Sequence, residues 1–379
     1  MIKKIITLML SLSLVLGMTG CSSTGDKKEG GQESKNFKVG IVTPTLSVSE
    51  DEYRGAQNMV EKYPDNVKHI TLPENFSTEI ETAISQIVSL SDDEDMKAIV
   101  VVSGQSGLLP ALQKVKEKRP DIVTITAPIW DDPDMMSKYI DVNLDANWGK
   151  RGETIVKLAK EMGSKTFIHY SFPTHLSKES VAKRRDMMKE TCEKEGIEFV
   201  EIMTPDPQTG QGVAPMQQFL KEDIPRQIEK YGKETNIFGS NCPMYDVIID
   251  EALKLNFTVA EQCCPTPTQA YPTVMNLEIS DEDSQNFDKI NEMIRENAKE
   301  ANMTGRLGGW PMPMTVFLPE FATELAIEMV QKGLTKEDVC KSEYLQKFAD
   351  EKYGITVEFE KLKEETDNYQ LMIMEQILY

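Results

Sequence analysis

Short β-branched runs alternate with helix-period segments from Lys38 to about residue 261, and this alternation constrains the fold more than any other feature of the chain. A strand that returns parallel to its predecessor needs a crossover of a dozen or more residues, usually a helix. Residues 39–42, 69–72, 98–102, 122–126 and 139–142 read as strands, with helical segments at 50–63, 78–90 and 107–118 between them. The run 98–102 is apolar throughout, as in a strand covered on both faces. In 78–90, Ile80, Ala83, Ile84, Ile87 and Val88 make one apolar face, and Thr78 with Glu81 reads as a capping box.

The pattern then restarts. Helices are predicted at 148–162, 180–195, 213–231 and 245–255, and strands at 166–170, 199–202, 236–238 and 257–261. Two αβ halves of comparable size imply a cleft. The expected fold class is therefore α/β, with two Rossmann-like lobes built on parallel sheets and a ligand cleft between them. Lobe 1 is expected at 37–145 plus about 306–334 and lobe 2 at 146–305, with hinges near 143–147, 276–280 and 305–310. Residues 335–379 are charged and read as a helical C-terminal extension.

The N-terminus reads as an export signal. Lys3 and Lys4 precede an apolar stretch at 5–16, which is too short to span a hydrocarbon layer that needs roughly 20 residues. Leu16-Gly17-Met18-Thr19-Gly20-Cys21 resembles the bacterial lipobox, which implies cleavage after residue 20 and acylation of Cys21, palmitate included. Residues 21–36 are rich in Gly, Ser, Lys, Glu and Gln and read as a disordered tether. The expected location is the extracytoplasmic face of the cell membrane, held by lipid alone.

Charge narrows the partners. The chain carries −20 at pH 7, and losing Lys3 and Lys4 with the signal makes it more negative still, so nucleic acid is disfavoured. Apart from Cys21 there are Cys192, Cys242, Cys263, Cys264 and Cys340, an odd remainder that leaves at least one thiol free unless it pairs between chains. Adjacent Cys263 and Cys264 suit a strained disulfide or a soft metal, but packed thiols at a strand end are the simpler reading, and no metal or cofactor is expected. Enzyme motifs are missing as well. His175 lies near Ser171 and Ser177 without a Gly-x-Ser-x-Gly elbow, and neither a P-loop nor a Gly-x-Gly-x-x-Gly dinucleotide loop is present. A hydrolase is the least favoured alternative.

Four stretches carry a resemblance. Lys38-Val39-Gly40-Ile41-Val42 with its polar loop, 98–103 followed by 107–121, the crossover 141–163, and 236–259 with Gly239-Ser240-Asn241 before Tyr245 together resemble the type I periplasmic-binding-protein family of sugar and nucleoside receptors, in an uncharacterised lipoprotein branch. The resemblance implies a small-molecule ligand and an ABC permease as partners, a monomer, and Arg185 as a ligand contact. In open parallel sheets ligands sit beyond the carboxyl ends of strands. Those ends offer Thr45, Ser47, Ser103, Gln105, Trp130, Asp131, Tyr170, Phe172, Asn241, Tyr245 and Gln262, aromatic faces mixed with hydrogen-bonding groups that suit a sugar or nucleoside. The run 130–134 also fits a solvated turn that caps the next helix, and Trp310 fits hinge packing. A ligand-sensing lipoprotein that signals to a membrane receptor is the second reading.

Overall fold

A computed structural model describes residues 37–76, 78–102, 105–207 and 212–379. The signal at 1–20, Cys21, the tether at 21–36 and Ser103 lie outside the described residues. The strands are β1 (Lys38–Thr43), β2 (Val67–Thr71), β3 (Met96–Val101), β4 (Val123–Thr126), β5 (Val142–Ala146), β6 (Thr166–Ser171), β7 (Glu198–Met203), β8 (Thr235–Gly239), β9 (Gly308–Gly309), β10 (Val357–Lys361), β11 (Tyr369–Met374) and β12 (Ile377–Leu378). The larger sheet has the order β10-β11-β5-β4-β3-β1-β2 and the smaller the order β7-β6-β8.

The apolar strand runs are buried on both faces because helices cover both. In β1, Val39 and Ile41 join the core under the helix Met314–Lys332, while Val42 points into the core beneath Ile80–Leu90 and Leu109–Lys118. Ala98 and Val100 of β3 take the first side and Ile99 and Val101 the second, the period of two that a pleated strand imposes. Helices Glu50–Lys62 and Met314–Lys332 approach closely at Gly55, where an added Cβ would lie 2.8 Å from the Pro319 ring.

Several expectations are corrected. The halves are unequal, with seven strands against three. The strand expected at 257–261 survives only as isolated bridges, Asn236 to Thr258 and Val259 to Leu307. The fifth strand begins where the predicted one ends. No capping box forms at Thr78, whose hydroxyl donates to the Asn75 carbonyl while the helix starts at Ile80. The C-terminal extension is α-helical only at Lys336–Val339 and Ser342–Tyr353. Its last segment is sheet: β11 lies parallel to β5, with Tyr369 opposite Asn143, and β10 turns back antiparallel on the edge. The chain ends with β12 against β9, placing Tyr379 in the core of the smaller lobe.

Candidate functional site

A cavity of about 300 Å³ opens where three helices begin. Asp51 comes from the first turn of Glu50–Lys62, Trp148 from the first turn of Trp148–Glu161, and Thr315 from the first turn of Met314–Lys332. The loop after the smaller sheet contributes Cys264, Thr266, Thr268 and Gln269, and the crossover contributes Trp310. The wall therefore combines residues packed on both sheets. Thr315 donates to Asp51 at 2.7 Å, which ties two of the helix starts together.

Arg151 forms the floor. One turn after Trp148 it faces the same side, and its guanidinium lies between the rings of Trp148 and Trp310, 5.2 and 5.3 Å from their centroids. It is fully buried and paired with buried Glu261: Nε donates to Oε1 at 2.9 Å, with Nη2 on the same oxygen. The remaining donors reach the carbonyls of Gln262 and Cys263, each at 3.0 Å. The other Glu261 oxygen accepts from Trp310 Nε1 at 3.1 Å and from Gln376 at 2.6 Å. One carboxylate thus fastens a lobe 2 helix, the crossover and the C-terminal segment. Gly152 lets the helix behind Arg151 touch its neighbour, since a Cβ there would meet the Arg184 carbonyl at 2.5 Å.

Beside this floor three thiols converge. Cys242, which opens the turn after β8, lies 3.4 Å from Cys263 between sulfurs, and Cys263 lies 3.6 Å from Cys264. Cys264 is exposed on the cleft wall. Its pKa is held well below the ordinary thiol value, first by hydrogen bonds from the Cys242 and Cys263 thiols and then by the charges of Arg151 and Arg184. Arg184 is buried with its Nε–H unpartnered, its guanidinium 5.1 Å from the Phe238 ring and one Nη 3.4 Å from the Cys263 carbonyl.

The residues expected from strand ends fall elsewhere. Asp131 is spent on the backbone: its carboxylate accepts from the N–H groups of Gly107, Leu108 and Leu109 at 2.8, 2.9 and 3.2 Å, capping the start of Leu109–Lys118. Asp132 caps Pro133–Met136 in the same way, so the turn reading of 130–134 holds. Tyr170 is buried with its hydroxyl on Asp223 at 2.9 Å, and Phe172 is buried against His175. Tyr245 is buried and bonds the carbonyls of Gly239 and Glu261. Gln262 is buried and folds its own loop by bonds to Gln269 and Thr266. Arg185 faces outward to Asp186 and Glu201, while its neighbour Arg184 points in. Trp130 is 61% exposed. Its N–H bonds the Gln105 carbonyl, and Thr45 bonds Ser47 in the loop after β1. Asn241 is partly buried where the turn Cys242–Met244 begins. None of these lines the cavity.

The histidines do not assemble a nucleophile. His175 Nδ1 lies 3.0 Å from Ser240 Oγ, itself 2.8 Å from Ser171 Oγ, but both serines are fully buried and out of reach of a substrate. Burial lowers the His175 pKa to about 4. His169 is buried between the rings of Phe199 and Phe238, and burial lowers its pKa to about 3.

Residues 37–308 match a family described as "Protein of unknown function (DUF3798)". An uncharacterised protein of Treponema pallidum is 31% identical over 185 residues, which are 47% of this chain and 84% of that one. A crystal structure from Clostridium difficile, provisionally described as a transcriptional regulator, is 47% identical, with a TM-score of 0.89 over 91% of this chain and 99% of that one. A sugar ABC transporter structure from Actinomyces odontolyticus shares the fold at 11% identity, with a TM-score of 0.55 over 82% of this chain and 88% of that one. The two-lobed α/β fold is that of periplasmic sugar-binding proteins.

Proposed function

The chain belongs to the DUF3798 family of proteins of unknown function, and from that premise we propose that it is an extracytoplasmic solute-binding protein that closes on a small polar solute in the cavity above Arg151, walled by Trp148, Gln269 and Thr315. The observation that carries this reading is the cavity itself. It lies between elements packed on two different sheets, it is large enough for a monosaccharide or nucleoside, and it combines an indole face with Asp51, Thr268, Gln269 and Thr315. Aromatic faces with a few convergent polar groups are how such sites hold sugars and bases. Trp130, Gln105, Thr45 and Ser47 follow the carboxyl ends of the adjacent strands β4, β3 and β1. Cys21 anchors the protein by lipid, and a membrane permease of the ABC type receives the solute.

Calorimetry with a panel of sugars and nucleosides tests the reading, together with scattering to detect compaction. Trp148→Ala is expected to weaken the cognate solute at least fivefold, about 1 kcal/mol, the value of one aromatic stacking face. A solute that binds with unchanged affinity in Trp148→Ala and Gln269→Ala and leaves the scattering profile unaltered refutes the site. For the anchor, Cys21→Ala should move the protein from the membrane fraction to the soluble one. Equal retention refutes lipidation.

The description of the Clostridium difficile structure favours one second reading, in which the same cleft senses a solute and the chain signals rather than delivers. With a charge of −20, contact with the phosphate backbone is opposed. Pull-down of a permease against a receptor or DNA separates the two.

A further inference from the structure

We propose that Cys242, Cys263 and Cys264 form a three-sulfur site for one zinc ion, with its fourth coordination position turned toward the cleft. The inference is separate from the identity of the solute and starts from distances. A zinc–sulfur bond of about 2.3 Å sets the sulfurs of a tetrahedral ion about 3.8 Å apart. The sulfurs here are 3.4 and 3.6 Å apart along the chain of contacts, and all three lie within 4.8 Å of one another. The two contacts through Cys263 need to open by only a few tenths of an ångström, and the third pair already lies within 4.8 Å.

The other two described cysteines, Cys192 and Cys340, are buried singly. The cluster instead sits beside two guanidinium groups, and the balance of charge selects the ion. Arg151 is already matched by Glu261. Arg184 is buried, has no carboxylate partner among the described residues, and keeps an unpartnered N–H. A zinc ion with three thiolates carries one net negative charge, which Arg184 offsets. Binding releases the thiol protons to solvent.

The coordination number points to an open site. No histidine or carboxylate joins the three sulfurs among the described residues. Three protein ligands with a vacant fourth position are the pattern of zinc sites that admit water or another small donor. Cys264 is at once a member of the cluster and a wall residue of the cavity, so the cleft is the side from which that donor comes.

The test is a zinc titration of the full chain, reduced and anaerobic, against a chromogenic chelator, with cobalt(II) as the spectroscopic probe. One equivalent of zinc should be retained. Cobalt should show thiolate-to-metal charge transfer and the intense visible bands of a tetrahedral ion. Cys242→Ser, Cys263→Ser and Cys264→Ser should each weaken zinc at least tenfold, while Cys192→Ser and Cys340→Ser leave it unchanged. Cys264 is exposed, so its variant should fold as the parent does, and it decides the matter if a buried variant does not. No retained zinc, retention unaffected in Cys264→Ser, or a weak octahedral cobalt spectrum overturns the proposal. So does a Cys242–Cys263 disulfide that persists in reductant. The titration is read without solute, so its failure leaves the solute-binding reading standing, and failure of that reading leaves the zinc site.

Discussion

Replacing Glu261 by Gln tests whether one buried carboxylate holds the crossover together. Its two oxygens receive donors from Arg151 Nε, Arg151 Nη2, Trp310 Nε1 and Gln376 Nε2. A carboxylate accepts all four, whereas an amide offers one accepting oxygen and turns an NH₂ toward donors. The substitution also leaves the Arg151 charge buried with only the Gln262 and Cys263 carbonyls and two indole faces as company. Breaking a buried pair from one side destabilises by about 3–5 kcal/mol. With about 2.1 cal/mol/K of unfolding entropy per residue over roughly 340 residues, that lowers Tm by about 4–7 °C. Differential scanning calorimetry reads the shift. Adding Arg151→Met to Glu261→Gln should recover most of it, because the orphaned charge is then gone. A loss under about 1 kcal/mol in the single variant, or a double variant worse than the two singles combined, refutes the reasoning.

Asp131→Ala should lower stability by about 1–2 kcal/mol, since three N–H groups at the start of Leu109–Lys118 lose their acceptor, and should leave solute affinity unchanged. Denaturation and calorimetry on the same variant check both halves. Asp145, at the end of β5, has its pKa raised to about 7 by burial, against hydrogen bonds from the Ala146 N–H and Trp148. A raised carboxyl pKa means the folded protein binds a proton that the unfolded chain releases near pH 4, so this stabilisation is complete below about 4 and is lost as pH rises through about 7. A shift of about three units corresponds to about 4 kcal/mol, and partial solvent contact reduces the expected amplitude to roughly 2. Asp145→Asn should flatten the fall in Tm between about pH 4 and 7. A parallel pH profile in the variant refutes the assignment.

The central strands β1 and β3 of the larger sheet were legible because each carries a nearly unbroken apolar run that suits a doubly covered sheet; Ala98 to Val102 permits little else. Tyr369–Met374 carries a comparable apolar signal, but it sits in a charged tail, and nothing local says that it will slide in beside β5 some 220 residues earlier. The site shows the same division more sharply. The rule that ligands meet strand ends names an edge, but which residue there faces the cleft depends on a rotation that the rule leaves open, and the cavity is walled by other residues. Arg185 was the expected contact. One residue earlier is a turn of about 100° around the helix, enough to send Arg184 into the core beside the thiols while Arg185 pairs with Glu201 in solvent. Asp131 was lost to a different competitor, since a carboxylate beside three free N–H groups at a helix start satisfies them before it can meet a ligand. Arg151 with Glu261 and Cys242 with Cys263 are separated in sequence by 110 and 21 residues, so neither pair exists until the smaller lobe has folded. The groups with most chemical potential at the cleft are those whose character comes from a distant partner. Sequence placed their backbone, and packing chose their partners.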